Sequence, residues 1–314
     1  MSANKVKKLL VIGGRPTINW YNLFKNTSIG SYTIEVEFTM WDEMVLTSYS
    51  DSGCIISIMP SKYAIPDTPM NTRRTFQPDF LLIRGACQGV YGQDWRNELL
   101  GLMYCGIPSI NSLESLYMCL EKPVIYSKLL QIHKQYKEKF PLIPQTYYPS
   151  WSSMSFNTGF PLVAKVGTVH AGFGKMKLEN QEDFDDLVSL IALQNKYVTT
   201  EPYIKWDYDF RIQKIGDHYR AFQRVSSCWK GKGMNQTDND VPVTDEYKRY
   251  IDLASKALGM DICALDGIHD PITNKNYIIE LNDSAIGLVQ RHVEEDLNYI
   301  KELVLSRMKQ VYKL

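Results

Sequence analysis

No stretch of this sequence is apolar for the roughly 20 residues needed to cross a bilayer. The basic start, MSANKVKKLLVIGGRP, leads into an apolar run of only four residues, 9–12, which reads as a first strand and not as a secretory leader. Nor is there an excess of charge of one sign. The 35 basic residues match 35 acidic ones, so the total lends no long-range attraction to nucleic acid or anionic lipid, and nucleic acid is not an expected partner. Cysteine is sparse and scattered, at 54, 87, 105, 119, 228 and 263, with no C-x-x-C and no metal spacing with histidine. That removes a disulfide framework and leaves buried free thiols in a reducing compartment, so the cytoplasm is the expected location. Internal repeats and low-complexity segments are absent too. What remains is a chain of 314 residues, 44% hydrophobic and 22% charged, which suggests about two ordinary globular domains.

The residues that stand out are FPLVAKVGTVHAGFGKMKLEN, 160–180, where Lys165 and Lys175 flank a glycine-rich loop. A P-loop would need G-x-x-x-x-G-K-[ST], but Met176 follows Gly174-Lys175 and Val169 sits where the first glycine belongs. A dinucleotide fingerprint would need a third glycine where Lys177 stands, and a helix after it. The flanks instead alternate with period two, so the glycines belong to a β-hairpin. Such a loop is either a plain flexible turn with solvated lysines or a cover over a nucleotide, with the lysines meeting phosphate as point charges.

Residues 5–110 alternate strand and helix signals, with strands at 8–12, 32–38, 54–59 and 80–83 and a helix over 94–104. Gly13-Gly14 reads as a phosphate turn or a tight exit from the first strand, and the exit is favoured since no third glycine or helix follows. Residues 111–140 read as helical with an interruption at Pro123. Asn180 caps a helix with acids crowding its first turn. Strands follow at 197–200, 210–215 and 220–225. A loop is expected over 229–243 and a helix over 245–258 closed by Gly259. Strands at 262–268 and 277–281 and a final amphipathic helix over 294–312 complete the pattern.

Near the end, Asp266 closes one strand, and Glu280 and Asn282, two apart, share one face of the next. Three oxygen ligands converging there suit a hard cation such as Mg²⁺, which binds through few carboxylates plus substrate phosphates. Carboxylates set among Ile278, Ile279 and Leu281 need a cation or another partner.

In order along the chain, Lys122, Lys165 with its glycine loop, the acid of TEPYI, Asp266, and then E-x-N resemble the ATP-grasp family. The segments PSINSLESLYMCLEKP, FPLIPQTYYP, AKVGTVHAGFGKMKLENQEDF, TEPYIKWDYDFRIQKIGDHYRAF, DICALDGIHD and IIELNDSAIGL resemble the synapsins' central ATP-binding domain, over residues 6–312. The resemblance implies an α/β protein, with an N-terminal parallel-sheet pre-ATP-grasp domain over 1–112 and a two-lobed ATP-grasp domain over 113–314. It implies ATP with Mg²⁺ or Ca²⁺ as cofactors. Lys122 and Lys165 would meet phosphates, with Gly172, Phe173, Gly174 and Lys175 folded over them. Glu201, Pro202, Tyr203 and Ile204 would form the adenine hinge, Tyr203 lying near the ring or in the core, with Asp209 on the ribose side. Arg224 and Lys230 would reach terminal phosphate or acceptor. Asp266, Glu280 and Asn282 would hold the metal. Arg211 is either part of this set or a strand arginine paired to an acid, and His170 is a proton carrier or an exposed loop histidine.

Two departures bear on function. Vertebrate synapsins have an apolar residue at the Asn282 position and glutamate at that of Asp266, whereas the ligases match this chain. The resemblance therefore implies one of two classes. One is a nucleotide-regulated protein associated with vesicles or the cytoskeleton. The other is a ligase that activates a carboxylate as an acylphosphate for attack by an amine. The chain also lacks the synapsins' flanking segments, so regulation through them is not expected. A homodimer is expected through the N-terminal domain, with residues 32–38 and Trp41 as either its apolar surface or part of the core.

Overall fold

A computed structural model describes residues 5–89, 92–155, 157, 159–168, 172–225, 229 and 237–314. The chain opens with β1 (Lys5–Ile12), α1 (Trp20–Leu23), β2 (Ser28–Ile29) and β3 (Tyr32–Thr39). It continues through β4 (Met44–Tyr49), β5 (Gly53–Ile58), β6 (Arg74–Phe76), β7 (Phe80–Ile83), α2 (Arg96–Tyr104) and β8 (Ser109–Ile110). The first sheet runs β2-β3-β1-β7-β8, and β1 pairs in parallel with both β3 and β7. Residues 9–12 are fully buried because such a sheet is covered on both faces. Leu10, Ile12, Leu81 and Ile83 pack on the antiparallel sheet β4-β5-β6 and on Leu99 and Leu102 of α2. On the other face, Leu9, Val11, Phe80 and Leu82 pack on Ile300, Val304 and Met308 of a helix from the far end of the chain.

This packing decides between two expectations, surface and core, in favour of core. Ile34, Phe38 and Trp41 are buried, and so is most of the apolar surface assigned to self-association. The alternation over 32–38 reflects one apolar face, which is covered inside the chain by α1 and the last helix, and a polar face on which Glu35 is exposed.

The chain then forms α3 (Leu113–Met118) and α4 (Lys122–Tyr136), and Pro123 lies in the first turn of α4, where its missing N–H costs nothing. The expected interruption is thus a helix start. Next come β9 (Thr146–Tyr148), β10 (Leu162–Val166), β11 (Lys175–Leu178), α5 (Gln181–Ala192) and β12 (Val198–Pro202). They build an antiparallel sheet, β11-β10-β12-β9, covered by Phe184, Leu187 and Ile191 of α5. Asn180 accepts from the Asp183 amide, the expected cap.

The third large sheet runs β15-β14-β13-β16-β17, from β13 (Tyr208–Ile215), β14 (His218–Val225), β15 (Thr237–Val241), β16 (Ile262–Asp270) and β17 (Lys275–Asn282). It packs on α4 and on α6 (Asp245–Leu258), which Gly259 ends at a φ of +68°. The last helix, α7 (Val293–Tyr312), is the one on the first sheet. Residues 237–241 were expected as loop but pair with β14 as an edge strand. Asp266 does not close its strand either, since β16 continues to Asp270. Buried Asn111 ties the first sheet to β16. Its carbonyl accepts from the amides of Asp261 and Ile262, and its amide donates to Ile262 O at 2.8 Å.

The tight exit after β1 has a steric cause. Gly13 has a φ of +72°, and a Cβ there would lie 2.5 Å from Gly85 Cα. Gly13→Ala is expected to cost about 2–4 kcal/mol, from the left-handed backbone and the clash together. Urea unfolding checks this; an unchanged midpoint would show that the strand ends separate freely.

Candidate functional site

Between the β9–β12 and β13–β17 sheets lies a cavity of about 350 Å³. Period two decides what reaches it. On β10, Val163 and Lys165 face in together, and on β17, Glu280 and Asn282 do so. The hairpin pairs Lys165 with Lys175, and β16 pairs Asp266 with Glu280. A bulge follows Asp266, and Gly267 is required beside it, because a Cβ there would come within 2.6 Å of the Tyr277 carbonyl oxygen and closer still to the Phe210 ring. Residues 201–204 run along the cavity wall from the end of β12 toward β13.

Asp266 is the centre of the polar floor. Arg211 donates to it bidentately, Nε to Oδ1 at 2.7 Å and Nη2 to Oδ2 at 2.8 Å. Arg224 Nη2 donates to Oδ1 at 3.2 Å, and Asn282 Nδ2 to Oδ2 at 2.8 Å. Burial pushes this carboxyl up, but Arg211 and then Arg224 outweigh it, and the net direction is down. Arg224 Nε also lies 3.0 Å from Asp209 Oδ1 and 3.5 Å from Asp238 Oδ1, close enough for ion pairing without forming a hydrogen bond. Burial and Asp266 raise Asp209 despite Arg224. Arg211 therefore fits both earlier descriptions, being a strand arginine paired to an acid and a cavity residue.

The phosphate-type lysines are placed differently from one another. Lys165 Nζ donates to buried Glu201 at 2.8 Å, and Gln145 donates to the same carboxylate oxygen. Lys175 faces Lys165 across the hairpin; burial, and then Lys165, push its ammonium down. Lys122, at the start of α4, lies 3.8 Å from Glu280. Burial works against its charge, but Glu280 and Asp283 outweigh that and the net direction is up.

Of the expected metal set, Glu280 is the open member. Burial and Asp266 would raise it, but Lys122, with Lys165 and Asn282, brings it below the usual range, so it is an anion facing the cavity. Asp266 has its oxygens engaged by four N–H groups, and Asn282 spends its amide on Asp266. Among the described residues no three His, Cys, Asp or Glu side chains form a metal cluster by themselves. The residues fit a cation held by Glu280 and completed by phosphate oxygens, with Asp266 and the Asn282 carbonyl adjoining.

Of the expected site residues that are described, all but Lys122, Phe173 and Gly174 line this cavity. Lys122 sits in a small side recess with Glu280, and of the hairpin loop Phe173 does not line the cavity, while Gly174 lines another hollow with Val166, Met176 and Leu187. Tyr203 is at the wall, edge-on to Trp206, with Lys177 over its ring. Lys230 and His170 lie outside the described residues. Sequence reading missed the apolar slot of Ile143, Val163, Ile268 and Ile279, together with Trp206 and Trp229. Lys175 lies over the Trp229 ring at 5.4 Å. Strand alternation alone could not have revealed the slot, because Ile279 and its neighbour Glu280 on β17 both line it.

Residues 2–109 match the family described as Synapsin pre-ATP-grasp domain, and residues 111–310 match Synapsin, ATP binding domain. A synapsin of Drosophila melanogaster is 33% identical over 99% of this chain, which spans 30% of that protein's length. Among solved structures, the D-alanine-D-alanine ligase of Coxiella burnetii superposes with a TM-score of 0.62 at 13% identity, covering 98% of this chain and 97% of that one. The ATP-grasp ligase PsnB, solved with a minimal precursor, gives 0.63 at 14%, covering 96% and 99%. These likenesses establish the fold, an N-terminal parallel-sheet domain followed by a two-lobed ATP-grasp domain.

Asp266→Asn leaves two guanidinium groups without their carboxylate. The expected loss at neutral pH is about 1–3 kcal/mol, below the fully buried figure, since the side chain keeps 20% exposure. The folded-state carboxyl titrates below its ordinary value, so its stabilisation is present above about pH 4 and is lost as pH falls through the folded value. Urea titrations of both proteins should therefore converge in acid. A constant difference down to about pH 3 would show that Asp266 carries no such linkage.

Proposed function

The chain belongs to the synapsin family, and from that premise we propose that it binds ATP with a divalent cation, Mg²⁺ or Ca²⁺, in the cleft between the β9–β12 and β13–β17 sheets. The observation that carries this is the pairing of Lys165 with Lys175 across the hairpin, two like charges facing each other at the cavity, with Lys175 held down by Lys165 and burial. Like charges directly opposite repel, and a polyanion between them removes the repulsion. The slot of Ile143, Val163, Ile268 and Ile279 suits the adenine ring, and the backbone at Glu201 and Ile204 its edge. Asp209 is the ribose-side acid. When bound, the cation neutralises phosphate charge, with Glu280 its chief protein ligand. In this reading the chain divides near residue 112, self-associates as a homodimer through a surface other than Ile34, Phe38 and Trp41, and acts in the cytoplasm on vesicles or the cytoskeleton.

Calorimetry with and without EDTA tests the binding. ATP affinity should fall sharply in EDTA, and Lys165→Ala should weaken it by about 1.5–3 kcal/mol, the scale of a charge-assisted contact. Equal affinity without metal, or an unchanged constant in the variant, would remove cation or lysine from the site.

A carboxylate–amine ligase is the second reading, favoured by Asn282 and Glu280 sharing one strand face beside Asp266, with Arg224 at the same floor. Asn282→Val should keep most ATP binding while lowering any phosphoryl transfer at least tenfold, about 1.4 kcal/mol. ADP release against a panel of carboxylates and amines checks this. No release above a Glu280→Ala control would leave the nucleotide-regulated binding protein alone.

A further inference from the structure

The described cysteines are free thiols, and two of them meet outside the cleft. Cys54, on β5, is 1% exposed and stands directly opposite Ser48 of β4, so both side chains share one face of that sheet. The helix α2 comes down on this face at Gly101, where a Cβ would lie 2.8 Å from Leu46 Cδ2 and 3.2 Å from Ser48 Oγ. Cys105 follows one turn later on the same side of the helix, its amide donating to the Gly101 carbonyl oxygen at 3.3 Å. It packs on the same core as Cys54. Its S–H donates to the Leu102 carbonyl oxygen at 3.2 Å, which leaves its sulfur to accept from the Cys54 S–H.

The two thiols differ in access. Cys105 is partly exposed, in a turn continued by exposed Gly106, which has open space where a Cβ would stand. A small solute therefore reaches Cys105 from water. Cys54 lies beneath it, and burial, then Cys105, push its thiol up to about 12. Buried and protonated, it is inert toward a diffusing oxidant and reacts only with an atom already in contact.

We infer that Cys105 and Cys54 are a peroxide-sensitive pair, closing to a disulfide that fastens α2 to β5. Cys105 gives its proton to water, and its sulfur attacks one oxygen of hydrogen peroxide. The O–O bond breaks, hydroxide leaves and takes up that proton as water, and Cys105 becomes a sulfenic acid. The Cys54 sulfur then attacks the Cys105 sulfur. The S–O bond breaks, and the departing hydroxyl leaves as water with the Cys54 proton. Two thiols and one hydrogen peroxide thus give one disulfide and two waters, the sulfurs losing the two electrons that the peroxide gains. Under reducing conditions the pair rests open.

Hydrogen peroxide added to the full chain without nucleotide tests the pair independently of the ATP reading. After remaining thiols are blocked, tryptic mass mapping should join Cys54 to Cys105. The tryptic peptide holding Cys105 also holds Cys119, so fragmentation must place the bond. Closing the long loop between β5 and α2 should raise Tm by about 4–8 °C, and dithiothreitol should reverse the rise. Cys105→Ser should lose both bond and rise. Cys54→Ala should leave Cys105 as a sulfenic acid that dimedone captures. No bond, a bond from Cys105 to Cys119 or any other cysteine, a Tm that does not rise, a rise that survives in Cys105→Ser, or an unoxidised Cys105 in Cys54→Ala would each overturn the pair.

Discussion

The bidentate pairing of Arg211 with Asp266 organises the cleft. It joins neighbouring strands β13 and β16 in register, and Arg224 from β14 and Asn282 from β17 close on the same carboxylate. Four strands of one sheet thus share a single anion. Removing that anion would leave partly buried guanidinium groups facing each other, so charge holds the cavity side of the sheet while apolar packing on α4 and α6 holds the other.

The consequence is a cavity whose charges are already largely matched. Lys165 is matched by Glu201, Arg211 and Arg224 by Asp266, and Lys122 stands near Glu280. A triphosphate entering this site exchanges partners, and does not simply fill a positive hole. Lys175 is the cation whose ionisation is disfavoured by burial and by Lys165, so it gains most from an incoming anion. Glu280, kept ionised and less engaged than Asp266, is where a cation gains most. Attraction at the hairpin and at the floor therefore acts across the cleft, which is how one ligand could hold two sheets together.

Much of this was legible in the sequence because it was local. Alternation around Gly172 and Gly174 marks the hairpin, Asn180 and Gly259 mark helix ends by capping, and E-x-N places two polar side chains on one strand face. What was not legible depends on register between distant segments. Ile143, Val163, Ile268 and Ile279 look like any core residues until two sheets face each other. The partner of Arg211 depends on how β13 meets β16. Residues 237–241 carry turn-forming Asp and Asn, yet pairing with β14 overrides that preference. Ile34 and Phe38 show the reverse error, since alternation reveals an apolar face but not whether the same chain or a partner covers it.

Hydrogen exchange followed by mass, with ATP and Mg²⁺ added, tests the shared-cleft account most directly. Protection should appear together in the hairpin strands 162–166 and 175–178, in the wall at 199–204 and in β17 at 275–282. It should disappear from all of them when EDTA is added. Protection confined to one of the two sheets, or persisting unchanged without the metal, would contradict the account.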